Sequence, residues 1–229
     1  ALAAYNAGPG ALRRSKQNPN LQVWQADFCM VDEITLENDA TDEEGALMFA
    51  VKGKGGRPIP VADPTIPASI VGQIYPAQLM QIWIDTGASA IGTTAVTGRL
   101  LSAKHTITTG VTYKFPAGGP TSNLDYTMVG RDRISAITTE LLLELPDLTE
   151  YNQWEANTTV ECRVRHNGPL IEGSLYHYVE VDTYGPFDGF EWDSYEDSNR
   201  VMKLIIEGEV DSTLGSDLRV AVQNTRTAL

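Results

Sequence analysis

The chain has 229 residues, of which 42% are hydrophobic and 21% are charged. This composition is typical of folded globular proteins and excludes disorder throughout the chain. The formal net charge of −13 argues against a nucleic-acid clamp and against docking to an anionic membrane surface, since both need clustered cations. No apolar run reaches the roughly 18 residues that a transmembrane helix requires.

The N-terminal residues differ in composition from the rest. Residues 1–20 hold glycine, proline and asparagine around cations at positions 13, 14 and 16. Because such residues favour turns and interrupt regular structure, we predict an N-terminal arm over 1–20. A single β-sandwich domain is predicted over 21–229, with a possible first strand at 21–31.

A long charged loop is predicted at about 32–67, inserted into this domain. Residues 32–44 hold seven acids, and residues 52–57 are glycine-rich with three cations, followed by four prolines. Only a short strand, at 46–51, is expected between them. Long loops in compact domains are commonly functional, so we predict a contact in which the acidic end of one copy faces the basic end of another. The candidate residues are Asp39, Asp42, Glu43, Glu44, Lys52, Lys54 and Arg57.

One motif resembles a catalytic signature. The segment Ile82-Trp-Ile-Asp-Thr-Gly-Ala-Ser89 is similar to the hydrophobic strand and Asp-Thr-Gly turn of aspartic proteases, in which two such aspartates share a proton. This chain holds one copy, so a protease would have to be a homodimer that uses Asp85 of each subunit. The alternative is a structural turn, in which Asp85 forms an Asx-turn and Gly87 permits a positive φ.

The histidines and cysteines offer no further chemical motif. His105, His166 and His177 lack the spacing of metal ligands, and Cys29 and Cys162 are too few for a disulfide scaffold. We therefore predict no metal and no cofactor, and two free buried thiols.

The second half of the chain is predicted to be rich in strands. Apolar and polar residues alternate with period 2 over 105–115, 137–145, 160–164, 175–182 and 202–210, which predicts antiparallel strands with one buried and one solvated face. In the strand predicted at 175–182, the solvated positions are Tyr176, Tyr178, Glu180 and Asp182. In the strand predicted at 202–210, the inward positions include Met202, Leu204, Ile206 and Val210.

A single helix is predicted between the second and third of these strands. Asp147 is expected to cap it in a capping box with Glu150, and the helix is expected to end near Asn157. Leu148, Tyr151 and Trp154 fall on one side of it and are expected to pack on the sandwich.

A series of short motifs lies between residues 79 and 145. They combine small-residue turns, a Leu-Leu-Ser strand start and threonine-rich strands, in the segments 81–85, 91–94, 98–102, 105–109, 113–115 and 134–144. In these segments the chain resembles the core of the major tail (tail tube) proteins of long-tailed phages. The resemblance covers about a third of the chain.

The resemblance implies a structural virion protein without enzymatic activity. Tail tube subunits are β-sandwiches with a flanking helix; they form rings, usually of six, whose inner sheets join into a barrel. The rings stack through loops and arms, so the resemblance implies that the candidate contact residues of the loop at 32–67, together with the arm at 1–20, lie between rings. DNA passes through the channel without being bound, which suits an acidic wall. The candidate lumen residues are Glu140, Glu144, Glu207 and Glu209.

The implied partners are further copies of the chain and other tail proteins, such as the terminator, tape measure and tail tip. The implied location is the phage tail, after assembly in the host cytoplasm, with no membrane involved. A capsid decoration or tail-tip β-domain is an alternative that shares the sandwich. The aspartic protease-like homodimer is the alternative from another functional class.

Overall fold

The structure is a computed structural model that describes residues 23–25, 30–41, 45–54, 59–61, 74–87, 90–114, 128–131, 136–144, 148–194, 200–210 and 217–224. The predicted arm at 1–20 lies outside these residues. The chain divides into two compact units. The smaller comprises Ala1–Asp32, Lys52–Val71 and Gly110–Arg133, and the larger comprises Glu33–Val51, Gly72–Thr109 and Ile134–Leu229.

The described part of the smaller unit contains two two-stranded antiparallel sheets. In one, β1 (Val23–Gln25) pairs with β4 (Ile59–Val61). In the other, β7 (Val111–Lys114) pairs with β8 (Met128–Arg131).

A nine-stranded antiparallel sheet dominates the larger unit. Its strands are β2 (Met30–Asp39), β3 (Met48–Lys54), β5 (Met80–Thr86), β6 (Leu100–Thr108), β9 (Ala136–Glu144), β10 (Thr159–Glu172), β11 (Leu175–Ser194), β12 (Arg200–Glu207) and β13 (Leu218–Gln223). The order across the sheet is β3-β2-β6-β9-β12-β11-β10-β5, and β13 pairs with β11. A short 3-10 helix, Ala77–Leu79, precedes β5, and the helix α1, Thr149–Glu155, precedes β10.

Strand β11 takes part in two layers. Residues 175–186 pair with β10, and part of that stretch also pairs with β13, whereas residues 187–194 pair with β12. A β-bulge between Phe187 and Gly189 marks the change. We therefore distinguish sheet 1 (β3, β2, β6, β9, β12 and residues 187–194) from sheet 2 (β5, β10, residues 175–186 and β13).

Side chains that meet across the two sheets show that the sheets face each other. The amide nitrogen of Asn38 on β2 lies 3.1 Å from Nδ1 of His166 on β10. These strands are five positions apart in the sheet order, which at about 4.8 Å per strand would separate them by roughly 24 Å in a flat sheet. The sheet therefore curls over itself, and the prediction of a mainly β, antiparallel sandwich with one helix is confirmed.

The core lies between the sheets and follows the predicted alternation on β9, β10 and β12. Inward residues there are at most 2% exposed, and their neighbours in sequence point away from the core. The prediction that Val210 continues the inward row is wrong, because Val210 follows the end of β12 and is 69% exposed. The main core cluster consists of Ile82, Ile84, Ala103, Leu141, Leu143, Val160, Cys162, Val164, Phe187, Met202, Leu204 and Ile206.

The prediction of a loop throughout 32–67 is wrong at its beginning. Residues 32–39 belong to β2, which pairs with β6 from Glu33 to Asp39. The physical reason is that the side chains of this segment alternate between two faces: Leu36 and Asn38 point inward and are buried, whereas the acids at 33, 37 and 39 lie on the opposite face. The predicted strand at 105–115 is in fact two strands, since Gly110 adopts a φ of 68° between β6 and β7.

Helix α1 forms where predicted, but without the predicted cap. Its N-cap position is Leu148, which makes no side-chain capping bond, and Asp147 lies outside the described residues. Glu150 does not complete a capping box but receives two hydrogen bonds from the Arg99 guanidinium, at 3.1 and 2.9 Å. Tyr151 and Trp154 pack on Phe190 of β11 as expected, with ring centroids 5.2 and 5.0 Å away. Leu148 is 48% exposed.

Substitution of Gly185 by alanine tests the crossing of β11, the point at which this strand passes from sheet 2 to sheet 1. A Cβ there would lie 2.1 Å from the carbonyl oxygen of Glu207, and because backbone cannot move aside cheaply, we expect a loss of about 3 kcal/mol in the free energy of unfolding. Gly87→Ala is the matched control, since nothing lies within 4 Å of its added Cβ; we expect about 0.5 kcal/mol or less. Equal losses in chemical denaturation would contradict this account of the crossing.

Candidate functional site

The outer face of sheet 1 carries a row of alternating charge across five strands. Glu37 lies opposite Lys104, and Lys104 lies opposite Glu140 on the next strand. Lys203 then reaches the Glu140 carboxylate at 2.8 Å and lies opposite Glu191. Since like charges directly opposite each other destabilise a sheet, the two lysines allow three acids to occupy one row. Glu140 and then Glu191 hold the pKa of Lys203 above its usual value, outweighing its partial burial.

More acids flank this row on the same face. Strand alternation places seven carboxylates and two ammonium groups there, a formal net charge of −5. Exposed ion pairs contribute only about 0–1 kcal/mol each to stability, so the acids are not explained by stability. We call this surface the acidic face; it comprises Glu33, Glu37, Asp39, Lys104, Glu140, Glu144, Glu191, Lys203 and Glu207.

Three of the four predicted lumen residues lie on the acidic face. Glu140 and Glu144 point outward from β9, and Glu207 is exposed at the end of β12. Glu209 lies beyond β12, where its backbone N–H donates to the carbonyl of Tyr184 at 2.7 Å. Its side chain is exposed in the segment that follows β12, next to the acidic face in sequence.

The predicted inter-ring residues fall partly outside the described residues. Asp42, Glu43, Glu44 and Arg57 are among those not described. Asp39 ends β2, where its carboxylate accepts hydrogen bonds from the N–H and the hydroxyl of Thr41 at 2.9 and 2.7 Å. Lys52 and Lys54 lie on β3, so part of the predicted basic loop is a strand.

Sheet 1 has two open edges within the described part of the chain. No described strand pairs with the outer side of residues 48–51 of β3, or with the side of residues 187–194 that faces away from β12. Met48 and Phe49 are 67% and 62% exposed on one edge, and Trp192 is 52% exposed on the other. The edges also differ in composition: residues 48–51 carry no charge, whereas residues 187–194 have three acids and no base.

Asp85 lies near the end of β5, where its carboxylate accepts hydrogen bonds from the backbone of residues 92–94. The N–H groups of Gly92 and Thr93 donate to its Oδ2 at 2.7 and 3.0 Å, and that of Thr94 donates to Oδ1 at 2.7 Å. Burial disfavours the charge, but hydrogen bonds from Thr94, Thr93 and Gly92 outweigh it, and the pKa of Asp85 lies below its usual value. The geometry therefore favours a turn. The glycine with positive φ is Gly92, at 91°, and not Gly87.

On the outer face of sheet 2, the prediction that two acids are solvated is wrong. Glu180 and Asp182 were expected to be solvated, but they are only 4% and 3% exposed. Arg163 donates two hydrogen bonds to Asp182, at 2.7 and 2.8 Å, and Nε of Arg165 donates to Glu180 at 2.8 Å. The Arg165 guanidinium lies over the rings of Trp83 and Tyr178. The arginines thus cover and neutralise these acids.

Sequence reasoning missed a buried polar layer between the sheets, made of Asn38, His105, Thr139, His166 and Thr183. Nδ1 of His105 lies 3.0 Å from the Thr139 hydroxyl, which lies 2.8 Å from that of Thr183. The two imidazole rings are edge-to-face, with centroids 6.0 Å apart. Strand alternation could have found the layer, because each member occupies an inward position beside a buried apolar residue.

Burial controls the ionisation of both histidines. Desolvation lowers the pKa of His166 to about 4, and desolvation together with repulsion from His166 lowers that of His105 to about 3. Their other neighbours in the layer, Asn38, Thr139 and Thr183, carry no charge. Both imidazoles are therefore neutral at pH 7.

Cys162 is a free, buried thiol, as expected, and burial raises its pKa. Cys29 lies outside the described residues. Among the residues that are described, no group of three or more His, Cys, Asp or Glu side chains is arranged to hold a metal ion. None of the described helices is long and apolar enough to cross a membrane. Neither a family model nor a curated protein sequence matches the chain.

The polar layer predicts a loss of stability in mild acid. Below pH 6.5 the unfolded chain protonates His105 and His166, whereas the folded chain does so only near pH 3 and 4. The free energy of unfolding therefore falls as the pH decreases from 6.5, by about 2.6 kcal/mol per histidine at pH 4.5. Urea denaturation at several pH values measures this slope. His166→Asn is expected to remove about half of the histidine contribution, and an unchanged slope in this variant would contradict the assignment.

Proposed function

We propose that this chain is a structural subunit of a phage tail tube, which assembles into stacked rings around a channel for DNA. Six copies per ring is the number usual in the family that the sequence resembles. The observation that carries the proposal is the acidic face, a polar surface of net negative charge on a sheet whose two edges are open within the described residues and differ from each other. In the proposed tube the acidic face lines the channel.

The charges of the acidic face suit a surface past which DNA moves. Carboxylates repel phosphates, and the two lysines lie beside acids of neighbouring strands, so they offer little net attraction to a duplex. Several rings of such faces would build a continuous negative potential along a narrow channel. DNA would then pass without being held.

The unlike edges of sheet 1 suit ring closure. An open edge is a template for pairing with another chain, and contact between two different surfaces of identical subunits is heterologous, which closes into a ring when the rotation permits. Here the uncharged, apolar edge at residues 48–51 would meet an edge with acids and an exposed tryptophan. The proposed partners are further copies, together with terminator, tape measure and tail-tip proteins.

The alternatives differ in what they require. A capsid decoration or tail-tip β-domain shares the sandwich and would form a trimer or a single terminal ring. A protease homodimer requires Asp85 to share a proton with its counterpart, yet both its oxygens accept backbone hydrogen bonds. We therefore propose no enzymatic activity.

Charge placed on the β3 edge is expected to prevent ring formation. Met48→Glu with Phe49→Glu removes apolar contact from an exposed edge and sets acids against the acids of residues 187–194, and the folded state should lose little stability because both residues are exposed. Electron microscopy of the concentrated chain with tail-completion components should show rings and tubes for the wild type and none for this variant. Val210→Glu, which alters an equally exposed residue off the edge, should assemble normally.

These measurements also separate the alternatives. A wild-type chain that remains monomeric under those conditions overturns the tube proposal, and a stable trimer by mass measurement favours the decoration domain. Rings from the doubly substituted chain would remove β3 from the mechanism while leaving the tube intact.

Reversal of one acid on the acidic face is expected to make the channel retain DNA. Glu207→Lys changes the formal charge of each acidic face from −5 to −3, and repeated around a ring it adds one circle of cations that can contact phosphate. Tubes of this variant should retain duplex DNA at low salt and release it as salt rises. Glu172→Lys makes the same change at an exposed site on sheet 2 and should not retain DNA; equal retention by both would contradict the assigned lumen face.

A further inference from the structure

The hairpin that joins β10 to β11 extends beyond both neighbouring strands of sheet 2. Its pairing continues to Glu172 and Leu175, but β5 pairs with β10 only as far as His166, and β13 pairs with β11 only as far as Tyr178. Residues 169–176, which we call the hairpin tip, therefore have no strand beside them in the described part of the chain. Three large apolar side chains of the tip are about half exposed: Leu170, Leu175 and Tyr176.

Contacts across the core show where the hairpin leads. Thr183 of β11 meets Thr139 of β9, and His166, which pairs with β11 four residues nearer the tip, meets Asn38 of β2. These four residues of β11 thus cross sheet 1 from β9 past β6 to β2. Another four residues, roughly 13 Å of strand, lead to Leu175, whereas β3, the last strand of sheet 1, lies only about 4.8 Å beyond β2. The hairpin tip therefore reaches the β3 edge, on the core side of sheet 1.

A contact at the base of the hairpin fixes it beside that edge. The Tyr75 ring packs on Gly168, where an added Cβ would lie 2.9 Å from Cε1 of the ring. The Tyr75 carbonyl accepts a hydrogen bond at 2.9 Å from the N–H of Leu47, the residue directly before β3. One residue thus joins the hairpin to the chain that enters the open edge at 48–51.

The opposite edge of sheet 1 has an exposed apolar surface on its core side. Trp192 lies opposite the buried Met202 of β12, so it faces that side. Tyr151 of helix α1 stacks beside it, with ring centroids 6.1 Å apart. Trp192 and Leu148, the N-cap residue of α1, nevertheless remain 52% and 48% exposed. At this edge α1 therefore forms the second layer of the sandwich and leaves apolar surface uncovered.

We propose that the hairpin tip of one copy packs on Trp192 and the start of α1 of the next copy in the ring. The inference rests on the proposed function, in which the β3 edge of one copy meets residues 187–194 of the next and every acidic face lies on the channel side. The core sides then share the other side of the joined sheet, so the tip and α1 meet in one layer. The contact buries apolar surface that each copy leaves exposed, and it includes tyrosine and tryptophan, which are enriched among the residues that dominate binding energy.

Photo-crosslinking in assembled tubes tests this contact. The full chain carries p-benzoylphenylalanine in place of Tyr176, and tubes are formed from equal amounts of unlabelled and ¹⁵N-labelled copies. We expect mass spectrometry to find crosslinks from residue 176 of one copy to residues 148–155 or 187–194 of a differently labelled copy. Crosslinks between copies that lead only to other segments would overturn the inference.

The concentration required for assembly gives a second measurement. Leu170→Thr with Tyr176→Thr replaces two exposed cross-strand partners by residues that suit strands, so the subunit should stay folded. We expect the critical concentration for tube formation to rise about tenfold or more. Glu172→Lys, which alters the charge of the tip but none of its apolar residues, is the control and should not raise it.

The outcomes separate this inference from the function on which it rests. Wild-type tubes together with an unchanged critical concentration for the double variant would overturn the hairpin contact and leave the tube proposal intact. A wild-type chain that forms no rings overturns the tube proposal, and the hairpin contact with it.

Discussion

Strand β11 must leave sheet 2 and enter sheet 1 within a short segment, and the absence of a side chain at Gly185 is what lets it cross the end of β12. A Cβ at Gly185 would lie only 2.1 Å from the carbonyl oxygen of Glu207, and the N–H groups of Gly208 and Glu209 donate to the carbonyls of Ile137 and Tyr184. This junction fixes which faces of the two sheets meet. The inward rows of β9, β10 and β12, the polar layer and the outward position of the acidic face all follow from it.

The sequence could predict the elements whose pattern is local. Period-2 alternation identified β9, β10 and β12 with their inward residues, because each strand carries apolar side chains on one face only. The same rule failed for Glu180 and Asp182. A solvated acid and an acid covered by a guanidinium look identical in sequence, and the covering Arg165 and Arg163 lie 15 and 19 residues away. Cross-strand partners decide burial there, and no single strand contains that information.

The two regions of greatest functional interest were the hardest to predict. In the sequence, the high density of acids in β2 favours a loop and hides the alternation of these acids with Leu36 and Asn38. In the polar layer, the pairing of Asn38 with His166 joins residues 128 positions apart, so neither residue carries a local signal of its partner. Period-2 alternation predicts that the acids of β9 and at the end of β12 point outward. It cannot predict the open edges, because an edge depends on which strands pair with each other, and that pairing is not visible in one strand.

Charge is distributed unequally between the two outer faces, and in the proposed tube this has an energetic consequence. Arginines neutralise the acids of sheet 2, but the acids of sheet 1 exceed its lysines. Closing a ring brings several acidic faces together around one channel, and their mutual repulsion opposes closure. The attraction must then come from the edges, where apolar side chains at residues 48–51 of β3 and at residues 187–194 would be buried together. Salt weakens the repulsion between the acidic faces but does not screen apolar contacts, so the apolar residues of the edges would determine whether the ring persists.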